Sequence, residues 1–227
     1  MDQNCCVART MNTTHEVPVT SSAVHSKGLD ANLLESLRDI NDHCIEVLIG
    51  LARAPPDSGS SVAHLVDHLR DALCAMSVSA RNRAAQCPFL LVDMEFRDLE
   101  WWHAVSRHPE KTWKMRPWLP SLPRRSAVQL ARTALMFAWH TARTNREAAI
   151  VFLGIAPAVA TTMASMHLRL IDRIADRHYQ HLRPRWEDRP AAWKQLLQSA
   201  HSGDASSMYA FHLRGLQLLA SEIIPSR

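Results

Sequence analysis

His64 and His68 in "HLVDH" stand one helical turn apart, close enough to share a metal ion if both leave the same helix face. The glutamate of an HExxH pattern is missing, and Asp67 is the one acidic group beside them, so no third ligand is evident. The pair therefore reads as surface or partly buried histidine. His178 and His181 in "HYQH" are three apart near an expected helix end and gain less support. Glu95, Asp98, Glu100 and His103 gather around Trp101 and Trp102. Paired carboxylates can do acid–base work, but a solvated helix face has the same composition. GxSxG, P-loop and GxGxxG patterns are all missing. The expectation is a protein that is not an enzyme, with no metal and no cofactor.

The five cysteines, Cys5, Cys6, Cys44, Cys74 and Cys87, show no CxxC spacing, which fits neither a zinc site nor a disulfide framework. Reduced thiols in a cytoplasmic protein are the simplest account. Residues 1–27 lack the apolar stretch of a secretory signal. The longest apolar candidate for a membrane span is interrupted by Gly154 and Pro157. No membrane partner is expected.

The elements that must position these residues read as helices. Among 227 residues, 47% are hydrophobic and only 6 are glycine, too few for the many turns of a β-sandwich. The expected fold class is all-α, a multi-helix bundle. Residues 1–27 are polar and without period, a disordered leader. An N-terminal helical region follows over 28–108. In it Leu33, Leu34, Leu37, Ile40, Cys44, Leu48 and Leu51 recur on one helical face, with Asp30 as N-cap. A second such face is built from Val62, Leu65, Val66, Leu69, Leu73 and Met76. "CPFLLVD" could be a strand, but no partner strand is evident, and a helix from about 90 to 106 fits the all-α pattern better. Residues 109–124, with Pro109, Pro117, Pro120 and Pro123, form a Pro-rich linker. A further helical domain is expected over 125–227, with "LRPRWEDRP" as a wet loop inside it.

Charge divides unevenly between the halves. Residues 1–124 carry 13 Lys and Arg against 15 Asp and Glu, a net of −2; residues 125–227 carry 13 against 7, a net of +6. A polyanion would meet the second half. "REAAIVFLGIAPAVATTMAS" has a helix-turn-helix layout with Gly154 at the turn. Its second helix offers bases little beyond Thr161, Thr162 and Ser165, so it reads as a packing or dimer element with Leu135, Trp139, Leu153 and Gly154. The last two helices are better equipped: Lys194 on the first, and Ser206, Ser207, Tyr209, His212 and Arg214 on the second. These six are the expected contacts to double-stranded DNA. An αα-hairpin that closes the bundle is the competing reading. Arg169, Arg173 and Arg177 recur every four residues and could track phosphates, or form a solvated face with Asp172 and Asp176.

The stretch "ALMFAWHTARTNREAAIVFLGIAPAVATTMASMHLRLIDRIADRH" resembles the FlhD family of flagellar transcriptional activators, through Leu153, Gly154, Ile155, Ala160, Thr161, Thr162 and Ala164. The resemblance covers about residues 127–220, in the C-terminal half only, with His212 falling at a family histidine. It implies an all-α subunit that forms a homodimer through its long helices, joins an FlhC-like partner, and binds promoter DNA as an activator. The alternative is a helical protein–protein interaction module without DNA binding.

Overall fold

The computed structural model describes residues 31–54, 61–111 and 124–223. The leader, the Asp30 cap, the 55–60 loop and most of the Pro-rich linker lie outside them. The fold is all-α. Ten α-helices occur among the described residues: α1 (Ala31–Arg53), α2 (Ser61–Cys74), α3 (Val78–Ala85), α4 (Leu99–Arg107), α5 (Arg124–Thr144), α6 (Arg146–Leu153), α7 (Pro157–Ser165), α8 (Leu168–His178), α9 (Pro190–Ser202) and α10 (Ala205–Ile223). No helix among the described residues is long and apolar enough to cross a membrane.

Local chemistry explains the helix boundaries. Ser77, Asp98 and Asn145 cap α3, α4 and α6, each side-chain oxygen accepting from a backbone N–H three residues on. Gly154 ends α6 in the left-handed conformation (φ 63°), and Pro157 and Pro190 open α7 and α9, where the missing N–H costs no helical bond. Alternate faces then go inward. One continuous apolar cluster runs from Leu37 to Leu219, with α5 packed on α1 and α8, and α9 packed on α2 and α3. Residues before and after the Pro-rich linker thus share one core.

The segment between α3 and α4 departs from the expected helix. Phe89, Leu90, Leu91, Val92 and Met94 are successive or nearly so and all buried, which a helix with one apolar face cannot achieve. The chain runs extended instead. Its two-residue strand β1 (Val92–Asp93) pairs antiparallel with β2 (Arg183–Pro184), in register Val92 with Pro184 and Asp93 with Arg183. A buried extended segment needs partners for its backbone, and buried polar side chains supply most of them. Asn41 of α1 donates to the Phe89 carbonyl at 2.9 Å and accepts from the Leu91 N–H at 2.8 Å. Arg185 donates to the carbonyls of Leu90 at 2.8 Å and Val92 at 3.3 Å, and its own N–H donates to Leu91 O at 2.8 Å. Phe152 O of α6 takes the Leu90 N–H at 3.0 Å.

Candidate binding cleft and the C-terminal helix pair

The last two helices form the expected hairpin, turning at Gly203 in the left-handed conformation (φ 70°). Of the six polar residues expected to read DNA there, three keep an open outward position: Lys194, Ser206 and Tyr209 are exposed. The other three are engaged or enclosed. The Ser207 hydroxyl donates to Asp204 Oδ2 at 2.6 Å, and the Ser206 and Ser207 amides donate to the same carboxylate, which caps α10. These bonds hold the Asp204 carboxyl below its usual range and fix a negative charge at the helix start. Arg214 donates to Gln195 Oε1 at 2.9 Å across the hairpin. His212 is half-buried, its Nε2 has no hydrogen-bond partner, and burial lowers its pKa, which disfavours the charged ring.

The residues expected at a packing or dimer seam lie inside the chain. Leu135 and Leu153 are fully buried in its own core. Gly154 is wedged where an added Cβ would stand 2.5 Å from Arg185 Nη1 and 2.8 Å from Leu219 Cδ2. Trp139 is half-buried, donates Nε1 to Met166 O at 3.0 Å, and carries Arg143 over its ring at 4.8 Å. The arginine stripe on α8 is partly paired: Arg173 and Arg177 reach Glu110 at 3.6 and 3.1 Å. Asp172 and Asp176 are bound from α5 by Arg132 and Arg124. The rings of His64 and His68 meet at a 43° tilt with centroids 4.2 Å apart, and His68 Nδ1 donates to His64 O at 2.8 Å.

The densest polar construction lies elsewhere, around β1, β2 and the end of α10. "LRPRWEDRP" is not a wet loop: Leu182, Pro184, Arg185 and Trp186 are all buried. The reason is Arg185, only 2% exposed, which donates to Leu90 O, Val92 O and Leu153 O and faces Asp93 at 4.0 Å. It ties the 183–189 segment to the extended chain and to the end of α6. Burial lowers its pKa, against the pull of Asp93 and Glu222, yet a guanidinium starts high enough to stay charged. Trp193 of α9 donates Nε1 to Arg185 O at 2.7 Å and so holds the same residue from the other side.

Arg183 reaches Glu95 at 2.9 Å, Asp93 at 3.5 Å and Glu187 at 3.8 Å. Burial works against its charge, but these carboxylates outweigh it and hold its pKa above the ordinary value. Burial pushes the Glu187 carboxyl upward, with Arg183 opposing. Glu222 of α10 takes the Trp186 indole N–H at 3.0 Å and faces Arg97 at 3.2 Å and Arg189 at 3.7 Å. Two non-glycine residues of this network, Glu95 (φ 52°) and Trp186 (φ 57°), sit in the left-handed region. Such backbone is kept only where the surroundings enforce it. Behind Glu95 lies a buried aromatic group: His181 Nδ1 is 3.5 Å from Glu95 Oε1, and its ring is 4.7 Å from that of Trp101. His178 donates Nε2 to Pro109 O at 2.9 Å, and burial lowers its pKa.

The cleft itself has a volume of about 580 Å³ on the side of α4, lined by Asp93, Glu95, Asp98, Glu100, Arg97 and Arg183 with Glu222 at the floor. The acidic segment 95–100 was visible in the sequence as a cluster. Its partners in 183–189 and at Glu222 were not, because they lie some ninety or more positions away along the chain. Compared with known proteins, the chain matches no family model, no curated protein and no solved structure.

Proposed function

We propose that this chain acts by protein–protein contact in the cytoplasm, as a stoichiometric helical subunit that docks through the outer face of α10. One observation carries the reading. Ala205, Tyr209, Leu213, Leu216 and Ala220 recur at spacings of four, four, three and four, which places them on one stripe. The core face of α10, with Met208, Phe211, Gly215 and Leu219, lies roughly a third of a turn away, and Ser206, Gln217 and Ser221 occupy the side opposite the core. Tyr209 is 64% exposed and Leu213 45% exposed, with Ala205 and Ala220 also exposed and Leu216 half-buried between them. An exposed apolar stripe that flanks the buried face is a surface that a partner helix or groove can cover. The spacing is the one by which amphipathic helices dock onto a partner helix or groove. The two charged residues of α10, Arg214 and Glu222, are both engaged within the chain.

Self-association is the form to test first. Sedimentation of the intact chain should give an oligomer, and Leu213→Glu with Tyr209→Ser should return it to monomer with unchanged helical content. The second reading is the regulator that resembles FlhD, acting on promoter DNA with an FlhC-like partner. It is favoured by Lys194, Ser206 and Tyr209, exposed on the α9–α10 pair. It requires duplex DNA binding that falls steeply with salt and weakens in Lys194→Ala, Arg214→Ala. DNA binding of that kind, with the chain monomeric and Leu213→Glu without effect, would replace the interaction-module reading.

A further inference from the structure

His212 lies between the core face of α10 and its outer stripe. Met208 and Gly215 of the core face stand four residues before it and three after; Tyr209 and Leu216 of the stripe stand three before and four after. The ring is half-buried, and its Nε2 is enclosed without a hydrogen-bond partner. Its aromatic neighbour is Phe211, with 6.5 Å between ring centroids. The helices α9 and α6 pack against α10 and carry Lys194, His201, Arg146 and Glu147; α10 itself adds Tyr209, Arg214 and Glu222. Arg97, Arg185 and Arg189 act on Glu222, about three turns further along the helix. None of these groups offsets the burial, which alone lowers the His212 pKa.

The stripe is symmetric about this residue. Ala205 and Ala220, Tyr209 and Leu216, and His212 and Leu213 each lie equally far from a midpoint between positions 212 and 213. Two copies of α10 laid antiparallel therefore meet small against small and large against large, with both His212 rings beside the twofold axis. Such self-matching is what a contact between identical surfaces requires. Arg214 and Glu222 are engaged within the chain and add no like-charge repulsion.

We infer that a second copy of this chain covers the α10 stripe antiparallel, and that His212 gates this contact by its proton, closed when neutral and opened by acid. The inference rests on docking through the outer face of α10. Its sign follows from burial. In the single chain, a proton acquired at Nε2 places an N–H where no acceptor stands, so the charged ring turns outward between Tyr209 and Leu216. In the pair that outward position is covered, and the two charges would come together near the axis. Association thus favours neutral His212, and a fall in pH releases the copies.

The test is sedimentation of the intact chain over a concentration series at pH 7.5 and pH 5.5, with helical content followed by circular dichroism. The dissociation constant of the pair should rise about tenfold or more at pH 5.5, with helical content retained. His212→Leu should associate equally at both pH values. His140→Asn, on the exposed face of α5, should keep the parent's dependence. The His212 ring protons, followed by NMR, should titrate at a lower pH in concentrated than in dilute samples. Equal dissociation constants for the parent at both pH values, a parent-like rise in His212→Leu, or a titration midpoint independent of concentration would each overturn the gate and leave the docking face standing. A chain that is monomeric at pH 7.5 would overturn the contact itself, and the gate with it.

Discussion

Arg185 shows how a single residue can organise a fold that has almost no sheet. Its guanidinium satisfies carbonyls in two separate segments and balances Asp93, while its backbone closes on Leu91 O and Trp193. Removing it leaves those acceptors unpaired in the core and Asp93 with Arg183 alone as its cation. Arg185→Ala should therefore cost about 3–5 kcal/mol in urea unfolding, the range for breaking one side of a buried ion pair. A loss below about 1 kcal/mol would mean that water replaces the guanidinium there. Gly154 belongs to the same construction, since its φ of 63° and the proximity of Arg185 and Leu219 leave no room for a side chain. The buried thiols have no comparable role: burial raises Cys44 to about 12 and Cys87 higher still, so neither presents a thiolate.

At the level of elements, α10 depends on two local devices. The first is Asp204, whose carboxylate accepts the Ser206 and Ser207 amides and the Ser207 hydroxyl. Those bonds lower its folded pKa below the unfolded value of about 3.9. Its contribution is then present above that pH and is lost as pH falls through the folded pKa. Asp204→Ala should lower the melting temperature at pH 7 and make no difference below the folded pKa; an equal deficit at pH 2 would contradict a capping role. The second device is Gly215. Mid-helix glycine costs about 1 kcal/mol against alanine, but a Cβ at this position would stand 2.2 Å from the Phe89 ring. Gly215→Ala should accordingly destabilise, despite its better helix propensity, and speed hydrogen exchange along α10.

For the molecule as a whole, the buried histidines set the response to acid. Burial lowers the pKa of His178, with Pro109 O and Glu110 pulling upward and His181 and Arg177 adding to the loss. Burial alone lowers that of His212. Each binds its proton less readily when folded than when unfolded, at about 6.5. Stability is thus full above about pH 6.5 and falls as pH drops from there toward the depressed folded values. Melting curves from pH 8 to 5 should show that decline. His212→Leu should flatten part of it and match or exceed the parent at pH 7, because it removes a buried nitrogen without a partner.

Much of this was legible in the sequence, and the reason is locality. Helical periodicity, the Asn145 cap, the Gly154 stop and the Pro157 start act within a few residues, so the helical fold class and the run of elements from α5 to α10 follow from the chain alone. The apolar run 89–94 did not, since a strand pair is defined by a partner, and β2 lies about ninety residues on within a charged stretch that reads as solvent-exposed loop. The same limit applied to function. Residue types named Ser207, His212 and Arg214 as DNA contacts, but whether a polar side chain faces outward or caps, buries or pairs is decided by what packs beside it. Composition fixed the amount of charge. Only tertiary contact assembled Asp93, Glu95, Arg183, Arg185 and Glu222 into one polar network, because electrostatic partners are chosen by distance in space and not along the chain.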